Sequence, residues 1–210
     1  ATLTEVTDEI RRAWNVPIRV LPMSDDRIST LVTVDAGSGT PEQGQEISFQ
    51  DYFVRLRHSV AVSSVRFDGT AALTGEARSS LVDASCVVIA PSNPLVSIGP
   101  IRALDGVDDV LADRRDHVVA VSPIVGGAAL KGPADRMLIE LGHDPSVVGV
   151  AELYAPIAST LVIDAIDAHH AEAVEAAGMR CVVTETVMST PAVARQLAID
   201  TLASVPAASR

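Results

Sequence analysis

Two stretches of the chain gather the side chains best suited to chemistry. The first is Pro91-Ser92-Asn93-Pro94-Leu95-Val96-Ser97-Ile98-Gly99-Pro100, where hydroxyls, a carboxamide and a glycine are set among three prolines. Prolines restrict the backbone, so such a loop presents its hydrogen-bonding groups in a fixed pattern suited to a base, a ribose or a phosphate. A turn in which Ser92 and Asn93 satisfy neighbouring backbone groups accounts for the same residues equally well. The second is Ser122-Pro123-Ile124-Val125-Gly126-Gly127-Ala128-Ala129-Leu130-Lys131-Gly132-Pro133-Ala134, leading into a helix. Paired glycines let a backbone approach an anion, their amides can point at phosphate oxygens, and a helix start adds a favourable dipole. Lys131 adds a full charge, and it is the single lysine among sixteen basic residues. The order Gly-Gly-x-x-x-Lys-Gly has no Ser or Thr after the lysine, so this is not a Walker A loop. A glycine turn carrying an exposed lysine is the plainer alternative, and the scarcity of lysine elsewhere favours phosphate contact.

Other candidates carry less. Three of the six aromatic residues fall in Phe49-Gln50-Asp51-Tyr52-Phe53. On a strand, Phe49 and Phe53 share one face and Tyr52 takes the other, more in keeping with a satellite core than with a stacking platform. Asp25 with Asp26, and Asp164 with Asp167, are carboxylate pairs that a divalent cation could use, but at turns they read first as caps. Thr184, Thr186 and Met188 end the last β-type run, and His169 and His170 read as surface histidines. No metal-type Cys or His spacing is present and no Ser-His-Asp constellation follows from the spacing, so no metal ligand and no catalytic residue is assigned. Cys86 and Cys181 each lie in an apolar run and read as buried, reduced thiols.

The elements that must position these loops are written in the hydrophobic pattern. From about Ser80, apolar runs (Cys86 to Ala90, Val118 to Val121, Leu161 to Ile163, Cys181 to Thr184) alternate with helix-length segments. That alternation predicts an α/β fold with a mostly parallel sheet and helices on both faces, and such sheets bind ligands beyond the carboxyl ends of their strands. Ahead of it, Leu3, Val6, Ile10 and Trp14 predict an amphipathic helix. After Pro17 come short β-type runs at Ile18 to Met23, Leu31 to Val34, Glu46 to Val54 and Val62 to Phe67; the last three predict a small β-rich insertion over 29–67, with a hairpin connection at Asp35-Ala36-Gly37-Ser38-Gly39-Thr40-Pro41 and Gly44 following. The tail from Ser204 to Arg210 reads as frayed.

With 210 residues and 48% hydrophobic residues, the chain has the size and core of one α/β domain spanning 1–210. Its formal charge of −11 argues against a broad grip on nucleic acid, so any phosphate must be held locally. No apolar run approaches the ~18 residues of a membrane span, and a cytoplasmic protein without a membrane partner is expected.

Five motifs carry a resemblance when taken in order: Leu21-Pro22-Met23-Ser24-Asp25-Asp26, Gln50-Asp51-Tyr52-Phe53-Val54, Val88-Ile89-Ala90-Pro91-Ser92-Asn93-Pro94, Val121-Ser122-Pro123-Ile124-Val125-Gly126-Gly127 and Leu130-Lys131-Gly132-Pro133-Ala134. The chain resembles the 2-phospho-L-lactate transferase family of coenzyme F-420 biosynthesis, through to Val183-Thr184-Glu185-Thr186-Val187-Met188. The resemblance implies a Rossmann-like fold and transfer of a phospholactyl or phosphoenolpyruvyl group from a guanosine diphosphate ester to the deazaflavin alcohol FO. GMP is released and magnesium assists. It implies that Ser92, Asn93, Ser97, Gly99, Gly126, Gly127 and Lys131 surround the guanosine diphosphate donor, and that the protein forms a homodimer. Members of the family begin with a strand, a glycine-rich loop and an Asp-bearing segment that holds magnesium and contacts FO. None of these precedes Ala1, so the resemblance covers the C-terminal two-thirds and implies no transferase activity for this part alone. The alternative is a non-catalytic protein sensing a nucleotide or nucleotide sugar, of the related gluconeogenesis-factor branch. The lactyl and enolpyruvyl donors both remain open.

Overall fold

The computed structural model describes residues 1–205; the tail expected to fray lies mostly beyond them, and Ser204 itself still closes the last helix through its hydroxyl to the Thr201 carbonyl. The chain opens on α1 (Leu3–Ala13), started by a capping box in which Thr2 accepts from the Glu5 amide and Glu5 accepts from the Thr2 amide. Its predicted apolar face is present but nothing covers it: Leu3, Val6, Ile10 and Trp14 are all exposed. The run Ile18 to Met23, expected as β-rich, forms no strand. Pro17 precedes it and Pro22 lies within it, each removing a ladder donor and restricting the residue before it.

The insertion folds as a three-stranded antiparallel sheet in the order β2-β1-β3, with β1 (Ser29–Val34), β2 (Glu46–Ser48) and β3 (Val62–Asp68). The expected strand over Glu46 to Val54 ends early, because the backbone turns into a short π-helix at Asp51–Arg55. Ser48 drives that turn by accepting from the Asp51 amide while donating to its carboxylate. Phe49 and Phe53 still share a side, now through helical i,i+4 spacing, with ring centroids 5.6 Å apart. Tyr52 enters a core with Val32, Val34, Val60, Val62, Val96 and Met137, against which Phe49 also packs, its ring centroid 5.9 Å from that of Tyr52.

After α2 (Gly75–Asp83) the parallel sheet begins, in the order β4-β5-β8-β9. Its strands are β4 (Val87–Ile89), β5 (Val118–Val121), β8 (Thr160–Asp164) and β9 (Arg180–Thr184). The connections carry α3 (Gly99–Arg102), α4 (Val107–Asp113), the hairpin β6 (Ile124–Val125) and β7 (Ala128–Ala129), α5 (Ala134–Glu140), α6 (Val147–Tyr154) and α7 (Ala171–Ala176). Alternation along each strand divides the residues. Ile89, Val118, Ala120, Leu161 and Ile163 face the large core formed with α4 to α7, while Val119, Val121 and Val162 face Leu197 of α8 (Pro191–Ala203). Helices therefore lie on both faces of a mostly parallel sheet, the predicted α/β class. Cys181 packs on the first face and Cys86 on the second, at opposite edges of the sheet; both are free thiols, and burial raises both above the usual thiol range.

Candidate functional site

The loops that follow β4, β5 and β9 converge at the carboxyl end of the sheet, where open α/β folds hold ligands. They enclose a cavity of about 570 Å³, a size suited to one nucleotide-sized ligand. Ser92, Asn93 and Ser97 line it from the β4 side, Ser122 and Lys131 from the β5 side, and Thr186 and Met188 from the β9 side; Phe49 and Phe53 close it from the antiparallel sheet. Lys131 is the only charged group among these lining residues, none of which is an Asp or Glu. In a chain of net charge −11, Lys131 gives this pocket a local positive charge.

Each wall has its own support. Asn93 Oδ1 accepts from the amides of Leu95 (2.9 Å) and Val96 (3.2 Å), capping the π-turn Pro94–Ile98. Its carboxamide oxygen is thus committed, leaving the NH2 group, which reaches Met137 Sδ at 3.7 Å, and the Ser92 and Ser97 hydroxyls as donors. Buried Ser122 closes a tight turn by both accepting from and donating to Ile124. Lys131 forms no ion pair with a described residue and stands exposed at the mouth. The Phe49–Phe53 wall is tied to the sheet side by Arg136 of α5, which donates to the Tyr52 hydroxyl (2.6 Å) and the Val60 carbonyl (3.2 Å) and pairs with Glu140 at 2.8 Å. Glu140 in turn accepts from the Val62 amide at 2.9 Å.

Four of the seven sequence-predicted residues meet in this pocket: Ser92, Asn93, Ser97 and Lys131. The three glycines do not line it. Gly99 packs on the far side, where a Cβ would lie 2.9 Å from the Phe67 ring, so glycine there serves close packing. Gly126 (φ 60°) and Gly127 (φ 77°) are the two central residues of the β6–β7 hairpin, a primed turn that requires positive φ at both. The Gly126 amide is already donated to Asp167 Oδ2 at 2.9 Å. A Gly-Gly pair flanked by two short apolar runs is itself a hairpin signature, and that signal was available in the sequence. The helix start after Lys131 also contributes less than expected, since α5 has only seven residues and no side-chain cap.

The acidic candidates are structural ties. Asp25 accepts from the amide and hydroxyl of Thr4. Asp164 accepts from the Ile166 amide on one oxygen and from the amide and hydroxyl of Thr186 on the other. Partial burial pushes the Asp164 carboxyl up, but these hydrogen bonds outweigh it and hold the group below its ordinary value. Thr184 donates to Asp200 at 2.6 Å and turns away from the pocket, whereas Thr186 and Met188 line it. Among the described residues no group of three or more His, Cys, Asp or Glu is placed to hold a metal ion. With no carboxylate on the pocket lining either, these residues do not form a magnesium donor set. No helix among the described residues is long and apolar enough to cross a membrane.

A mostly parallel sheet with a pocket at its carboxyl end is a ligand-binding arrangement shared by many α/β proteins, and the comparisons narrow that class. Residues 1–200 match the family described as 2-phospho-L-lactate transferase CofD, and the chain belongs to it. It is 35% identical to a phosphoenolpyruvate transferase of Kitasatospora aureofaciens, over 96% of this chain and 63% of that protein. It is 34% identical to a 2-phospho-L-lactate transferase of Methanocaldococcus jannaschii, over 90% of this chain and 58% of that protein. The chain thus spans about three-fifths of the length of these relatives. Among solved structures, a UPF0052-family protein of Bacillus halodurans superposes with a TM-score of 0.64 at 13% identity, over 96% of this chain and 67% of that one, which shows the fold alone.

Proposed function

We propose that the pocket receives a guanosine diphosphate ester bearing a phosphoenolpyruvyl or phospholactyl group, and that the protein transfers that group to the terminal hydroxyl of FO. The observation that carries the proposal is the placement of Lys131, the single lysine, in one cavity with Ser92, Asn93 and Ser97 at the carboxyl ends of β4 and β5. Relatives named for both donor types support the transferase over the nucleotide-sugar sensor. The FO hydroxyl attacks the distal phosphorus, the new P–O bond forms as the bond to GMP breaks, and the hydroxyl proton passes to solvent. Lys131 offsets the charge on the diphosphate and on departing GMP, and the free hydroxyls donate to phosphate oxygens.

Magnesium ligands and FO contacts are assigned to the share of the relatives' length that this chain does not span, and this part alone is inactive. Homodimerisation and a cytoplasmic setting rest on the resemblance, the latter in keeping with two free thiols. The test is turnover by the full-length protein. Incubation with FO, magnesium and either guanylated donor is expected to yield a more acidic deazaflavin together with one GMP per product. Absence of both products at saturating donor overturns the proposal.

A further inference from the structure

The segment Asp164-Ala165-Ile166-Asp167 crosses behind the pocket and touches two of its walls. Asp164 ends β8 and caps the 3-10 turn Ala165–His170. It reaches across to β9's exit, where Thr186 gives it both an amide (2.8 Å) and a hydroxyl (3.0 Å) hydrogen bond. Thr186 is buried, and with Val187 and Met188 it forms the β9 side of the cavity. Three residues on, Asp167 is only 2% exposed and accepts from the Gly126 amide. The side chain of Ile166 lies against the same glycine, 3.7 Å from where a Cβ would stand. The base of the hairpin is held by buried Ile124 and by Ser122, but its two residues per strand leave the exposed Gly126–Gly127 tip to the Asp167 contact. Lys131 follows that hairpin by two residues.

We propose that Asp164 and Asp167 are paired positioning residues that hold opposite walls of the pocket: Asp167 anchors the hairpin that delivers Lys131, and Asp164 anchors Thr186 and the loop after it. The inference rests on the pocket being an anion site. Its chemistry is hydrogen-bond acceptance, not metal ligation, and the two are separable. An Asn at 167 still offers one acceptor to a single backbone amide, so it preserves the anchor. An Asn at 164 cannot replace a carboxylate that accepts on both oxygens.

The experiment uses GDP as the probe and the full-length protein. Asp167→Ala is expected to weaken GDP binding by about tenfold in calorimetry, and Asp167→Asn to restore most of it. In a Lys131→Ala background Asp167→Ala is expected to change GDP affinity by less than about twofold, because the residue acts through that lysine. Asp164→Ala, acting on the other wall, is expected to weaken GDP binding several-fold both with and without Lys131, and an unchanged affinity in either background overturns its part of the proposal. Equal effects of Asp167→Ala with and without Lys131, or failure of Asn to rescue, overturns the positioning role. A second readout does not depend on variants or on GDP. In the wild-type protein the Gly126 amide is expected to exchange at least about tenfold more slowly than that of Gly127 at the same turn, and equal exchange rates contradict the anchor. Failure of the wild type to bind GDP counts against the donor proposal, while the exchange rate still decides the anchor.

Discussion

On the Pro91–Ser97 side of the pocket the hydrogen bonds to Asn93 Oδ1 that shape the loop are local, whereas the tip of the Gly126 turn and the Phe49–Phe53 wall are tied by hydrogen bonds from far along the chain. Asn93 caps amides two and three residues ahead of it, and prolines stiffen the loop on either side. The Gly126 turn is held by a carboxylate 41 residues away, and the Phe49–Phe53 wall by Arg136, 84 residues from Tyr52. A loop closed on itself keeps its shape through changes elsewhere. A loop held from a distance takes its geometry from the whole fold, and here that dependence falls on the one cation in the pocket.

The contrast can be broken from the remote side first. Arg136→Met removes the donor to Tyr52 and Val60 and leaves Glu140 without its ion-pair partner, though still accepting from the Val62 amide, while keeping much of the side-chain volume. With the guanidinium partly exposed, the expected loss is about 2 kcal/mol, read as a shift in a urea midpoint. An unchanged midpoint would mean that the antiparallel sheet is held by its apolar core alone. On the local side the effect is smaller and separable. Asn93→Ala removes the cap at a cost of about 1 kcal/mol, whereas Asn93→Asp keeps an acceptor for Leu95 and Val96 but places a negative charge on the pocket lining. The Asp variant is therefore expected to fold as stably as the parent and bind GDP several-fold more weakly. If Ala and Asp weaken GDP binding equally, the loop contributes shape and not its electrostatics.

The same contrast explains how much was legible in the sequence. The parallel sheet was, because continuous apolar runs such as Val118 to Val121 are buried on both faces and leave little choice of element. The loop ends were legible for the same reason: strand exits point to the ligand side, and Ser92, Asn93, Ser97 and Lys131 do meet there. The segment 49–54 was not, since residues four apart share a face on a strand and on a helix alike, and the turn was decided by one hydroxyl, Ser48. Gly126 and Gly127 were taken for a phosphate cradle because the same positive-φ freedom serves a hairpin, and nothing near them in sequence names Asp167 as their partner. Gly99 likewise answers to Phe67, 32 positions away in the chain, through a contact that only the folded structure reveals.

The most direct test of the account is the affinity of the full-length protein for GDP before and after Lys131→Ala. Loss of a charge-assisted contact to phosphate is expected to weaken binding by about tenfold or more while leaving thermal stability unchanged, since the lysine forms no ion pair with a described residue. An affinity for GDP that is the same in the two proteins would contradict the assignment of this pocket to the donor.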